Sequence, residues 1–276
     1  MRIALCNEVI RTLDLADQAR FAAALGYDGL ELAPFTLDAE RPHRISADAI
    51  ATARRTIEDA GIVVSGLHWL MVAPPGLSIT SADPQQRDAA LDVMSRLVDL
   101  CAALGGSYLI HGSPGQRRLE PGREESGRQN ARAFFEAAAQ CAAEAGVTYC
   151  IEALSPDQTN YVTTLAEAAA IVADIGSPAL ASMLDCSAAG TNEVDDIPTL
   201  LRRYLEDGTI HHVHFNDPNR RGPGQGELDF APIMRTLVDL DYAGWIGVEP
   251  FDYVPDGPSA AARAIGYVAG LRAAFT

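Results

Sequence analysis

Short apolar runs and helix-like stretches alternate along the whole chain. Eight runs, at 3–6, 29–32, 63–67, 108–110, 148–151, 181–184, 212–215 and 246–248, are rich in Ile, Val and Leu. Most show no alternation of polar and apolar positions, as expected of strands covered on both faces. Between them lie alanine- and leucine-rich segments of helical period. The stretch 14–25 stops at Gly26, 46–60 opens on Ser46 and stops at Gly61, and 84–104 stops at Gly105. A serine at the start offers an oxygen to the free amides of the first turn, and a glycine past the end takes the left-handed conformation that closes the last one. Further helices are expected over 127–145, 164–175, 196–206, 229–240 and 259–274.

Eight strand–helix units predict an α/β chain closed into a (β/α)8 TIM barrel, a single domain over 1–276. An open doubly wound sheet is the second choice. It would want a glycine-rich phosphate turn after the first strand, where this chain has Cys6-Asn7-Glu8. No interior stretch reads as a linker. The segment 112–127, rich in Gly, Pro and Arg, falls where a barrel carries a loop over its catalytic face.

Composition narrows the function. With 48% hydrophobic and 21% charged residues, the chain resembles an ordinary globular protein. It carries 21 Lys and Arg against 37 Asp and Glu, a net charge of −16. That argues against nucleic-acid binding, which rests on neutralising phosphates, and against docking on anionic membranes. No apolar run approaches the roughly 20 residues of a spanning helix. Residues 1–10 contain Arg2, Asn7 and Glu8 and do not read as a signal peptide. The five cysteines, Cys6, Cys101, Cys141, Cys150 and Cys186, are odd in number and form no C-x-x-C pair. Reduced, buried thiols in a cytoplasm are expected.

A barrel gathers its active site at the C-terminal ends of its strands. The polar residues there are Glu8, Glu31, His68, His111, Glu152, Asp185, His212 with His214, and Glu249. Charge in such a place is costly unless it is paired or bound to metal. Glu152, Asp185, His214 and Glu249 come from the fifth to eighth strands, which are neighbours, and can converge near the axis. Three carboxylates and an imidazole without a thiolate suit a hard or borderline divalent cation, Mn²⁺ ahead of Mg²⁺ or Co²⁺. Trp69, beside His68, is placed to carry the apolar face of a ligand at the barrel mouth or to pack into the core. The loop that opens at His111 is suited to a phosphate or carboxylate. Glu31 is expected to line the pocket floor as an acceptor for substrate, or to anchor a neighbouring strand. His212 is expected to point away from His214 and out of the metal site.

The strand ends Ile151-Glu152-Ala153-Leu154, Leu184-Asp185, His212-Val213-His214 and Val248-Glu249-Pro250-Phe251 resemble those of the xylose-isomerase-like TIM-barrel sugar phosphate isomerase/epimerase family. The run from His212 through Asn219-Arg220-Arg221-Gly222-Pro223-Gly224-Gln225-Gly226 is similar to that of the D-tagatose 3-epimerase group of ketose 3-epimerases. The segment Gly26-Tyr27-Asp28-Gly29-Leu30-Glu31 looks like the family's entry into the second strand. The resemblance spans essentially the whole chain. It implies that Glu152, Asp185, His214 and Glu249 ligate the metal, that Glu152 and Glu249 also act as the two bases, and that Arg220 binds substrate. Asp217 is expected to pair with Arg220.

That chemistry is coherent in itself. A cation that bridges a carbonyl and the neighbouring hydroxyl stabilises an enediolate. Two carboxylates on opposite faces of the carbon let one remove the proton and the other return it, which inverts the centre. Return to the adjacent carbon gives aldose–ketose isomerisation. Two positions depart from the ketose epimerases. Ala188 stands where they have a histidine, and Gln158, a substrate-binding candidate here, stands where they have a glutamate. The grip on substrate therefore differs.

The expected function is a metal-dependent epimerase or isomerase of a small keto sugar or sugar derivative, acting as a homo-oligomer, dimer or tetramer. The alternative is a lyase or dehydratase on the same site, of the inosose-dehydratase or keto-sugar C-glycoside-cleaving kind. An endonuclease-IV-like enzyme would need a histidine-rich zinc cluster and a basic groove, against six histidines and a charge of −16. A catalytically silent binding barrel is opposed by the four retained ligands.

Overall fold

Each of the eight apolar runs forms a strand, and all pair in parallel. In chain order they are β1 Arg2–Cys6, β2 Gly29–Leu32, β3 Val63–Leu67, β4 Tyr108–His111, β5 Thr148–Glu152, β6 Leu180–Asp185, β7 Ile210–Phe215 and β8 Trp245–Val248. Every strand pairs with the next, and β8 pairs with β1, so the sheet closes into a barrel. The computed structural model describes residues 1–275; Thr276, the last residue of the expected domain, lies outside the described residues.

The helices are α1 Leu15–Leu25, α2 Ala47–Glu58, α3 Pro84–Leu104, α4 Glu124–Ala145, α5 Leu165–Ile175, α6 Cys186–Asn192, α7 Ile197–Glu206, α8 Phe230–Asp239 and α9 Gly257–Phe275. Their starts follow local chemistry. Asp14, Ser46, Thr164 and Asp196 each accept a hydrogen bond from the amide three residues on. The short helix α6 was not expected from the pattern. Seven residues carry less than two turns of periodicity, and its cap is Asp185, itself a strand residue. No helix among the described residues is long and apolar enough to cross a membrane.

The core has two layers. A large one lies between strands and helices, and a small one of Ala4, Tyr108, Ile110, Cys150, Ala181, Met183 and Trp245 fills the barrel itself. The inner layer fixes which strand positions face the axis, because successive side chains alternate. Positions 108, 110, 150, 181 and 183 point in, so on the same strands 152 and 185 point in and 111 points out.

Candidate metal centre and its surroundings

The parity of β5 to β8 brings the four expected ligands together. One donor atom from each of Glu152, Asp185, His214 and Glu249 lies within 4.8 Å of the other three, and all four residues are buried. Asp185 and His214 are register partners on β6 and β7. His214 Nδ1 lies 3.0 Å from Glu249 Oε2 and 3.9 Å from Asp185 Oδ2. Burial and the neighbouring Glu249 and Asp185 carboxylates push Glu152 up to about 8; burial and Glu249 push Asp185 up to about 6. Packing three acids in so dry a place without a facing cation is costly.

The donor set fits a divalent ion on two further observations. His214 Nε2 donates to Glu31 Oε1 (2.8 Å), which keeps the proton on that nitrogen and leaves Nδ1 free for a cation. Nδ1 is buried and, despite its closeness to Glu249, makes no aligned hydrogen bond. Burial opposes charge on His214, but Glu249 and Glu31 outweigh it and raise its pKa well above the usual imidazole value, so a cation at Nδ1 would have to displace a proton there.

Glycine makes room for two of these groups. A Cβ at Gly112 would collide with Glu152 Oε2, and one at Gly247 would fall 2.7 Å from Glu31 Oε2 and 2.8 Å from His214 Cδ2.

Neighbouring groups hold the ligands. Asn216 Nδ2 donates to Asp185 Oδ2 (2.6 Å), and the amide of Ala188 donates to Asp185 Oδ1 (2.7 Å). Asn216 escaped the sequence reading. It lies two residues beyond His214 and so shares its face, which is the signal that would have found it. Arg117 is fully buried and spends its guanidinium on main-chain oxygens, donating to Glu152 O (2.7 Å), Val162 O (3.2 Å) and His111 O (3.3 Å). The loop expected to offer arginines to an anion thus turns one of them inward as a strap. Arg118 donates to the carbonyl of Gln158.

The other expected substrate residues divide. His68 and Trp69 reach the centre. His68 Nε2 donates to Glu8 Oε2 (2.9 Å) and stands 4.0 Å from Glu249 Oε1. Burial opposes its charge, but Glu8, Glu31 and Glu249 raise its pKa to about 9. Trp69 Nε1 donates to Glu249 Oε1 (3.1 Å), and its ring lies against Phe35 and Phe251, two aromatics the sequence reading did not single out. Arg220 is exposed, with its guanidinium 4.7 Å above the Phe251 ring. Gln158 is half-buried and donates from its side chain to Ser155 Oγ (3.0 Å) within its own loop.

Four expectations need correction. His111 does not face the pocket. Its position on β4 points outward, where the ring packs on Phe134 and Phe135 of α4 and Nδ1 lies 2.7 Å from the Tyr149 hydroxyl. Burial and the nearby Arg117 lower its pKa to about 3. Glu31 does face the axis but lies fully buried beneath His214. Its carboxylate also accepts from Tyr108 Oη (2.6 Å) and sits 3.0 Å from His212 Nε2. That leaves it enclosed by protein rather than open to substrate. His212 shares the face of His214, since residues two apart in a strand point the same way, and lies one layer deeper on Glu31. Asp217 does not pair with the Arg220 side chain. Its carboxylate accepts from the amides of Asn219 (3.1 Å) and Leu228 (3.0 Å), and its carbonyl accepts from Arg220 N.

Known proteins resemble this chain. A family model described as xylose isomerase-like TIM barrel matches residues 19–270. A D-psicose 3-epimerase of Agrobacterium fabrum is 27% identical over 240 residues, 83% of this chain and 76% of that protein. An L-ribulose 3-epimerase of Mesorhizobium japonicum is 27% identical over 201 residues, 71% of this chain and 65% of that protein. The solved structure of a 3-keto-D-glucoside 4-epimerase from E. coli has the same fold, with a TM-score of 0.84 at 20% identity over 98% of this chain and 99% of that one.

Proposed function

Because the chain belongs to the xylose isomerase-like TIM barrel family, we propose that it epimerises a small keto sugar or sugar derivative. The observation that carries this is the convergence of Glu152, Asp185, His214 and Glu249 on one buried point, with two glutamates able to serve one carbon. The 3-epimerase relatives favour epimerisation, and none of those named above is a lyase. The whole chain, 1–276, then works as one domain.

The four clustered residues would hold the ion, Mn²⁺ ahead of Mg²⁺ or Co²⁺. When bound, such an ion polarises a carbonyl and stabilises negative charge on the adjacent oxygen. Glu152 takes the proton from the carbon beside the carbonyl on one face, and Glu249 delivers a proton on the other; the reverse reaction exchanges their roles. Asn216 and the Ala188 amide keep Asp185 oriented, and Glu31 fixes the tautomer of His214. Trp69 and Arg220 line the mouth, and the protonated His68, which donates to Glu8, stands beside Glu249 as a buried positive charge. Five free thiols favour a reducing compartment, and we place the enzyme in the cytoplasm. As a homo-oligomer it should scatter light at two or four times the 29.4 kDa chain mass.

The test is isotope exchange. Protein loaded with Mn²⁺ is incubated with a panel of ketoses in D₂O and followed by NMR. Deuterium entry next to the carbonyl with appearance of the epimer is expected. Loss of a hydroxyl without appearance of the epimer would replace the epimerase by the lyase.

A further inference from the structure

Four side chains form a line across the barrel mouth. Phe35 and Trp69 have ring centroids 5.8 Å apart, Trp69 and Phe251 are stacked at 5.9 Å with 28° between planes, and Arg220 lies 4.7 Å above Phe251. These are the spacings of paired aromatic faces. Trp69 is 38% exposed, and the other large apolar side chains left so open among the described residues are all valines. Core packing does not explain an indole facing water in such company.

The line is also held rigid. Trp69 has φ +51° and Arg220 φ +70°, left-handed conformations that bulky residues rarely adopt and that persist only where the surroundings enforce them. The Trp69 indole N–H is anchored on Glu249 Oε1 (3.1 Å). The carbonyl of Arg220 accepts from the amides of Phe251 (2.7 Å) and Asp252 (2.8 Å). One point of the line therefore touches a member of the buried cluster, while Arg220 at its end lies in solvent.

From Trp69 the line runs 5.9 Å to Phe251 and a further 4.7 Å to Arg220, outward from the end tied to Glu249. We propose that the line is a subsite for a second ring attached to the reacting sugar, so that the substrate is a glycoside or similarly substituted sugar. The attached ring, aromatic or pyranose, lays its apolar face on the open part of Trp69, with the rim of Phe251 beside it and its polar edge toward the Arg220 guanidinium. This rests on the epimerase reading for the identity of the reacting sugar, but the subsite is tested by binding alone.

The chain has two tryptophans, and Trp245 is buried in the barrel with Arg2 4.1 Å above its ring, so emission changes on ligand binding at the mouth report Trp69. Mg²⁺-loaded protein is titrated with methyl and phenyl glycosides of glucose, galactose and xylose, and with methyl cellobioside. In at least one series the two-ring ligand should bind tighter than the methyl glycoside by on the order of tenfold, the size of a good ring contact. The phenyl and cellobioside arms separate an aromatic ring from a second sugar. By calorimetry, Trp69→Ala and Phe251→Leu should each erase the preference and Trp69→Phe should keep it. The subsite is overturned if no two-ring ligand gains over its methyl partner, binding of none included, or if the gain survives both Trp69→Ala and Phe251→Leu. Deuterium exchange into free ketoses without any such gain would sink the subsite alone; a gain without exchange into any sugar would sink the epimerase reading alone.

Discussion

The two halves of the barrel use the same kinds of residue to opposite ends. On β5 to β8 the strand-end acids and imidazole share one parity and one depth, and they meet within 4.8 Å. On β1 to β4 the comparable residues divide: Glu8 and His68, with Cys6 and Glu249, also offer donor atoms within 4.8 Å of one another, but the rest leave the mouth. Glu8 and His68 pair with each other, Glu31 sinks beneath His214, and His111 turns outward onto α4. Ending a strand is therefore not enough to join a site. A residue must also sit at an inward position and in the top layer, and the second half of the barrel meets both conditions four times in succession.

The sharpest way to break this contrast is to remove charge from the converging half. Glu152→Gln and Glu249→Gln keep an oxygen for ligation but cannot take up a proton. Each should abolish net epimerisation, since loss of a general base typically lowers rate by about 10²–10⁴-fold. For a given epimer, one variant should keep deuterium exchange without inversion while the other loses it. Near-normal turnover in both would move the bases elsewhere.

A smaller effect is expected where the other half merely supports. Glu31→Gln should weaken Mn²⁺ binding measured by calorimetry by about 10–100-fold, the usual cost of losing the carboxylate behind a ligating histidine. Unchanged affinity would leave Glu31 as simple packing. In the wild type, Glu152 is held up to about 8 by burial and by Glu249 and Asp185. Cation binding must expel that proton, so affinity should rise between about pH 6 and pH 8 with proton release in calorimetry.

Much of this was legible from the chain. Apolar runs bounded by capped helices predict the eight strands, because a parallel barrel needs them apolar on both faces. The four converging residues follow from neighbouring strand ends. What periodicity of burial could not supply was depth. Strands as short as Gly29–Leu32 carry no alternation to tell inward from outward, so Glu31 and His111 looked equivalent to Glu152. Tyr108 and Ile110 hold the missing information, since both lie inside and force His111 out. The tie of Trp69 to Glu249 and its rings joins residues 180 apart in sequence, and no local pattern encodes it.

Arg220 sharpens the contrast at the rim. It touches no member of the cluster, so Arg220→Ala should leave metal content unchanged while lowering kcat/KM by about tenfold, the order of one charge-assisted contact. Loss of metal with the arginine would show that its role is structural.

The smallest effect concerns the residue that turned away. Folded His111 stays neutral down to a pKa of about 3, chiefly through burial and also through Arg117, whereas the unfolded chain protonates it near the ordinary imidazole value of 6.5. Between those values the unfolded state binds the extra proton. Its contribution to stability is thus complete above about pH 6.5 and is lost as pH falls, by at most about 1.4 kcal/mol per pH unit. His111→Gln keeps a partner for the Tyr149 hydroxyl but does not titrate. Urea unfolding from neutral to acid pH should show a shallower loss of stability for the variant, by about one proton, while kcat/KM of the folded enzyme near neutrality stays within about twofold, as befits a side chain on the far side of β4 from the cluster. An acid limb of equal slope would mean that His111 opens to water in the folded protein. A large loss of activity with the fold intact would return it to the pocket from which its packing on Phe134 and Phe135 removes it.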